Sequence, residues 1–131
     1  MREVCFLVVR DKILRAYFGS ATSIPDERER WETIWEHRHE ITEIVHSHPG
    51  EFLDFSYEDL TTMEAVEAGT GKTFTWSIVT KTGFRSRKDG KDHLREDSPW
   101  WPPVKIVGRH LAPYLASHIG WGGASTATAA R

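Results

Sequence analysis

The first hydrophobic segments of the chain have the lengths and spacing of two paired strands. From Glu3 to Val9 the sequence reads EVCFLVV, and an apolar run of this length predicts a buried strand. The segment KILRAYFGSA begins directly after Arg10 and Asp11. A turn at these two residues would connect the segments as a β-hairpin.

The next segment, SIPDERERWETIWEHR at residues 23–38, has the period of an amphipathic helix. Trp31, Ile34 and Trp35 fall on one face at helical spacing. Ser23 can cap this helix, and the proline two residues later suits its first turn. EITEIVHSH then predicts a third strand, which ends in two histidines.

A loop, a second helix and a further strand are predicted after the histidines. PGEFLDF has loop composition, and Ser56 begins a helix through YEDLTTMEAVEA with Gly69 as its stop. The apolar positions of this helix recur at helical steps: Leu60, Met63 and Val66. TFTWSIVT predicts a strand, and the highly charged segment 81–103 is loop-rich in composition, with room for one short strand.

The predicted order is ββαβαβ, which indicates an α/β fold (α+β class) with helices packed on a central mixed β-sheet. The C-terminal segment VKIVGRHLAPYLASHI is less defined and mixes strand and helix patterns. We expect residues 1–121 to form one domain. Residues 122–131 are small and polar without periodicity, which predicts a flexible C-terminal tail.

Net charge, cysteine content and the length of the apolar runs reduce the number of protein classes to which the chain could belong. The 131 residues carry a net charge of -2, so no nucleic-acid or membrane-surface partner is expected. The single cysteine, Cys5, cannot form an internal disulfide, which fits a reducing cytosol. No apolar run reaches the roughly 18–20 residues that span a bilayer. We therefore expect a soluble, cytoplasmic protein.

The stretch HSHPGEFLDFSYED at residues 46–59 carries the candidate chemistry. Residues i and i+2 of a strand project from the same face, so His46 and His48 would present both imidazoles to one point. Asp59, in the first turn of the next helix, could complete the set. Two imidazoles and one carboxylate, with water in the fourth position, are typical of a catalytic zinc site. Zinc held in this way can lower the pKa of its water to about 7.

Each half of the stretch also has an ordinary structural interpretation. Exposed strand histidines are common, and Ser56 with Asp59 resembles a helix capping box. The combination is far more specific than either half. Seven residues separate His48 from Ser56, two separate Ser56 from Asp59, and the predicted context is strand, loop and helix.

The same residues resemble the signature of the JAMM family (JAB/MPN, Mov34-type), in its prokaryotic branch. This family's zinc metalloproteases cleave isopeptide or peptide bonds beside ubiquitin-like proteins. Its pattern is an upstream glutamate, then H-x-H-P, seven residues after the second histidine, and S-x-x-D. The order of strands and helix before the motif is also similar, from about residue 3 to residue 82. The resemblance implies a JAMM/MPN, cytidine-deaminase-like core.

The resemblance implies a role for each matching residue. His46, His48 and Asp59 would bind one zinc ion per chain, and Ser56 would stabilise the oxyanion of the tetrahedral intermediate. Glu3, at the head of EVCFLVV, would be the general base. On the residues alone, other glutamates compete for that role: Glu32, Glu36, Glu40 and Glu43.

The implied function is hydrolysis of an isopeptide or peptide bond next to the C-terminus of a ubiquitin-like or sulfur-carrier-like protein. Two alternatives from other classes stay open. One is a non-catalytic MPN-type scaffold with the same fold, which loss of the base would favour. The other is a nucleic-acid-associated protein of the RadC type, which a basic face would favour. The intact motif and the near-neutral charge favour the peptidase.

Overall fold

Six strands and two helices follow one another as ββαβαβββ in a computed structural model, which describes residues 3–19, 28–48, 50, 52–80 and 83–95. The strands are β1 (Val4–Val9), β2 (Lys12–Phe18), β3 (Glu43–Ser47), β4 (Thr75–Val79), β5 (Phe84–Lys88) and β6 (Lys91–Asp92). The helices are α1 (Arg28–Glu36) and α2 (Tyr57–Thr70).

The β1–β2 hairpin confirms the predicted turn at Arg10 and Asp11. Both turn residues adopt left-handed backbone conformations, with φ of 48° and 68°. Two consecutive positive φ values give a turn whose twist matches that of the paired strands. The hairpin also extends past its ends, because the Gly19 amide donates to the Glu3 carbonyl at 2.9 Å.

All six strands form one mixed sheet in the order β2-β1-β3-β4-β5-β6. The pair β3 and β4 is parallel, and every other neighbouring pair is antiparallel. Parallel neighbours need a long crossover connection, and α2 supplies it. The C-terminal end of β3 therefore leads directly towards the N-terminus of α2, where the candidate motif lies.

Both helices pack on the same face of the sheet. Because strand residues alternate between faces, Cys5, Leu7, Ile44 and Trp76 share this face, which we call the front face. They form one core cluster with α1 and α2 through Ile34, Met63 and Val66. The residues of the rear face are buried as well: Val4, Phe6, Val8, Val45, Ser77 and Val79.

Three sequence predictions need correction. Trp35 is 52% exposed rather than packed on the core, because Trp31 and Ile34 occupy the side of α1 that faces the sheet, and the Trp35 ring contacts Arg38 at 3.7 Å instead. Helix α2 continues past Gly69 and ends at Thr70, because Gly71 (φ 67°) adopts the left-handed cap. Segment 81–103 contains two strands, β5 and β6, joined by Asp89 and Gly90 with positive φ.

Other predictions fall outside the described residues. They are the Ser23 cap with its proline, the C-terminal segment and the 122–131 tail. Within the part of the chain that the structure describes, no helix is both long and apolar enough to cross a membrane.

Candidate metal centre

The two histidines of HSHP converge as strand geometry predicts. His46 lies in β3, and His48 follows directly after it, with its amide donating to the Val79 carbonyl at 2.9 Å. This bond continues the β3–β4 ladder, so both rings project from the front face. Their Nε2 atoms lie 3.0 Å apart, and the ring planes are tilted by 57°.

Asp59 joins the histidines from the first turn of α2. Its Oδ2 atom lies 3.3 Å from His46 Nε2 and 3.4 Å from His48 Nε2. Its position is set by the helix start, because Oδ2 also accepts the Ser56 amide at 2.9 Å. A carboxylate is favoured here, since the N-terminus of a helix carries partial positive charge.

The three ligand atoms have the spacing that a tetrahedral metal ion requires. Zinc binds imidazole nitrogen and carboxylate oxygen at about 2.0–2.1 Å, so neighbouring ligand atoms around it lie about 3.3–3.4 Å apart. The observed separations are 3.0, 3.3 and 3.4 Å. Among the described residues, His46, His48 and Asp59 are the one group of three or more possible ligands close enough to share an ion. The donor set therefore fits zinc.

A backbone carbonyl orients the His48 ring. His48 Nδ1 lies 2.8 Å from the Phe52 carbonyl oxygen, which can only accept a hydrogen bond. With a proton on Nδ1, Nε2 is the nitrogen that faces Asp59 and His46, and it becomes a free ligand atom once its own proton is lost. The Phe52 ring also stacks on the imidazole, with an interplanar angle of 9°. Such contacts to the second nitrogen fix the tautomer of a metal-binding histidine.

The triad has the charge distribution of a cation site. Burial alone raises the pKa of Asp59, but hydrogen bonds from His46 and His48 outweigh burial and hold that pKa well below its ordinary value. The hydrogen bond to Asp59 raises the pKa of His48, and the Phe52 carbonyl adds to the effect. An anionic carboxylate therefore lies between two imidazoles, and a bound cation would replace their protons.

Glu3 lies at the edge of the same group. Cys5 is paired with His46, and the Val4 amide donates to Ser47 Oγ at 2.8 Å, so the register brings Glu3 towards His48. Burial raises the pKa of Glu3 to about 7, His48 opposes this rise, and Asp59 adds to it. A carboxyl group with a pKa near neutrality is suited to accept and release a proton.

Ser56 is the N-cap of α2, as the capping-box interpretation predicts. Its Oγ accepts the Asp59 amide at 3.1 Å, while the Asp59 carboxylate accepts the Ser56 amide. A hydroxyl that accepts one bond still has a proton to donate. Ser56 also lines a cleft beside the triad, so its hydroxyl can cap the helix and stabilise an oxyanion at once.

A cleft of about 710 Å³ opens beside the triad, between the front face, α1 and α2. The five predicted site residues all line it. Its inner lining is mainly apolar and belongs to the core cluster, from Trp31, Ile34, Ile44, Met63, Val66 and Trp76. Phe52 and Tyr57, which are 63% and 85% exposed, stand at its rim. A cleft of this size is in the range of known ligand-binding pockets.

The competing glutamates lie elsewhere. Glu43 is on the rear face and bonds Ser77 and Arg95, as its odd spacing from His46 predicts. Glu32 is exposed and paired with Arg28. The remaining two, Glu36 and Glu40, are exposed beside His37. None of the four lines the cleft.

Two contributors were missed by sequence reasoning. The first is the Phe52 carbonyl, which no side-chain motif reveals. The second is Arg30, whose charge reaches the cleft and opposes the burial that raises the pKa of Cys5. The four-residue spacing between Arg30 and Ile34 could have placed Arg30 on the sheet-facing side of α1.

Comparison with known proteins gives no independent assignment. The chain matches no protein-family model and no curated protein.

Proposed function

We propose that this protein is a JAMM-type zinc metallopeptidase. It hydrolyses an isopeptide or peptide bond next to the C-terminus of a ubiquitin-like or sulfur-carrier-like protein. The observation that carries the proposal is the convergence of three ligand atoms, from His46, His48 and Asp59, within 3.0–3.4 Å of one another. Glu3 and Ser56 line the same cleft.

The residues around the triad divide the work of hydrolysis. Zinc, when bound, lowers the pKa of a water molecule and polarises the carbonyl of the scissile bond. Glu3, which lines the same cleft, accepts a proton during attack and returns it to the departing amine. The Ser56 hydroxyl donates to the oxygen on which negative charge develops.

The surroundings of the triad support a polypeptide substrate. The cleft combines an apolar lining with a few polar groups at one end, which is typical of ligand-binding sites. Exposed Phe52 and Tyr57 offer apolar surface at the entrance. A substrate tail that crosses this entrance would bring one carbonyl to the triad while its neighbours contact Phe52 and Tyr57.

Metal content is the first test of this proposal. Purified wild-type protein, supplied with zinc and freed of excess, should contain about one zinc per chain, as the three-ligand site predicts. His48→Ala should lose it, because two ligands remain. His39→Ala is the matched control, since His39 is exposed on the turn after α1 and lies outside the triad. Elemental analysis that finds no zinc in the wild type would sink the proposal.

Hydrolysis is the second test. Wild-type protein is incubated with fusions that carry ubiquitin-like or sulfur-carrier-like proteins, and cleavage at their C-termini is followed by mass spectrometry. Glu3→Gln should keep its zinc and lose most of its activity, by about 100-fold or more, because the proton acceptor is gone. A fully active Glu3→Gln protein would exclude Glu3 as the base. Zinc binding without cleavage of any fusion would instead favour the scaffold alternative.

A further inference from the structure

The orientation of His48 depends on the connection between β3 and α2. Phe52 in this connection supplies the carbonyl that faces His48 Nδ1. Ser56 and Asp59 follow where the helix begins. A shift of the connection by an ångström would move the carbonyl away from the ring. Whatever holds Leu53 and Asp54 therefore also holds the metal ligand.

Arg85 on β5 is in contact with both of these residues. Its Nη1 atom donates to the Leu53 carbonyl at 3.3 Å and forms an ion pair with Asp54. Arg85 lies in the same row of the sheet as His46, since each is paired with Ile78 of β4 from opposite sides. It therefore reaches the connection from the front face, two strands away from the triad.

The guanidinium is itself held in place. Asp92 on β6 accepts from Arg85 Nε at 3.1 Å and from Nη2 at 3.3 Å. Bonds from two nitrogens to one carboxylate fix the plane of the guanidinium as well as its position. Each of these partly exposed ion pairs contributes little alone. Together they connect β6 and β5 with the Leu53 carbonyl and the Asp54 carboxylate as one bonded unit.

A packing contact reinforces this unit. The Leu53 side chain lies over Gly83, where a Cβ atom would come within 3.5 Å of Leu53 Cδ1. Arg87 provides the contrast. It occupies the same strand and the same face two residues later, opposite Trp76, and it makes no hydrogen bond to the connection among the described residues.

We propose that Arg85 is a positioning residue of the metal centre. By holding Leu53 and Asp54 it keeps the Phe52 carbonyl against His48 Nδ1, so that Nε2 stays directed at the metal position. This inference rests on the zinc site of the proposed function and adds a residue that lies outside the signature motif. Its effect passes through the backbone and not through contact with ligand or substrate.

The test compares zinc affinity in Arg85→Met with the matched control Arg87→Met, by competition with a chromophoric chelator. Arg85→Met should bind zinc about tenfold more weakly than the wild type. This is the lower end of the affinity loss expected when a partner of a metal ligand is removed, because Arg85 acts on His48 only through the connection. Arg87→Met should keep the wild-type affinity. Arg85→Lys should fall between, since an ammonium cannot bridge the connection and Asp92 at once.

Unfolding of the metal-free variants separates positioning from stability. A loss of zinc-binding free energy in Arg85→Met that exceeds its loss of unfolding free energy supports the positioning role. An unchanged affinity in Arg85→Met, or an equal loss in Arg87→Met, overturns it. If Arg85→Met does not fold, Arg85→Lys decides by the same criterion.

Failure of the proposed function is recognised separately. A wild type that binds no zinc removes the metal site itself, and the test then moves to the metal-free protein. There the Nδ1 proton of His48, which faces the Phe52 carbonyl, should exchange with water faster in Arg85→Met than in Arg87→Met. Equal exchange in the two variants would overturn the anchoring role.

Discussion

At the scale of single residues, each ring nitrogen of His48 has a separate task. Nδ1 meets the Phe52 carbonyl at 2.8 Å, and Nε2 meets Asp59 at 3.4 Å. Because the carbonyl can only accept, it keeps a proton on Nδ1, so in the neutral ring the lone pair is on Nε2. His46 and His48 are about equally buried, with 16% and 13% of their side chains exposed, so the site is shielded yet reachable from the cleft.

Glu3 should make the stability of the metal-free protein depend on pH. Burial raises its pKa from 4.5 to about 7 in the folded state, so the folded protein binds this proton more tightly than the unfolded chain. The contribution of Glu3 to the free energy of unfolding should therefore fall as pH rises from about 4.5 to about 7 and then level off. Glu3→Gln, which cannot ionise, should melt at a higher temperature than wild type at pH 8 and show no such advantage near pH 4.5.

Thermal unfolding in the presence of a chelator measures this difference. Glu64→Gln is the control, because Glu64 is an exposed glutamate in the middle of α2. It should not reproduce the pH-dependent gain. Equal melting temperatures of Glu3→Gln and wild type at pH 8 would show that Glu3 is not desolvated.

At the scale of elements, the start of α2 is part of the metal site, because Asp59 belongs to both. The capping box needs an acceptor at its third helical position, and Asp59 fills it by accepting the Ser56 amide. The same Oδ2 atom lies within 3.4 Å of both histidines. The end of the helix is tied to the sheet as well, since Glu67 accepts from the Phe74 amide and the Trp76 indole at 3.0 Å.

The two glycines near the end of α2 should respond oppositely to alanine. Gly69 lies within the helix with open space around a Cβ, so Gly69→Ala should raise the free energy of unfolding by about 0.5–1 kcal/mol. Gly71 has φ 67°, where alanine is strained, so Gly71→Ala should lower it by about 1 kcal/mol. Urea unfolding of both variants measures the pair, and a change of the same sign in both would contradict this helix end.

At the scale of the whole molecule, the two faces of the sheet carry different polar groups. The front face presents the triad to the cleft. The rear face buries Glu43 with Ser77 and Ser86, and Arg95, from the segment after β6, bonds all three. Residues 52 positions apart thereby meet behind the strand that carries the histidines. Neither Glu43 nor Arg95 lines the cleft, so a substitution that removes either charge changes contacts on the rear face.

Arg95→Met should lower the free energy of unfolding by about 3 kcal/mol, because it removes a cationic partner from a carboxylate that is 4% exposed. Adding Glu43→Gln should recover part of this loss, since an amide needs no counter-charge and can still bond Ser77. Urea unfolding of the two single variants and the double variant gives the coupling energy. Additive losses would show that the two charges act independently.

The sequence by itself determined the order of the elements through β4 and the residues of the triad. Alternating and helical periods, the hairpin turn and the capping box are local patterns, and local patterns act through backbone geometry that a few residues fix. For this reason the convergence of His46 and His48 followed from their spacing alone. The end of α2 was missed by two residues because Gly69 and Gly71 have the same composition signal, and only φ distinguishes them.

Only the tertiary structure decided which groups surround the triad. Trp35 has the helical spacing of a core residue, yet only Trp31 and Ile34 pack against the sheet. Trp35 contacts Arg38 instead. The approach of Glu3 to His48 depends on the β1–β3 register, and the anchoring by Arg85 depends on strands that the charge-rich sequence concealed. These contacts join residues far apart in the chain, so their formation depends on how the whole sheet packs and not on any local period.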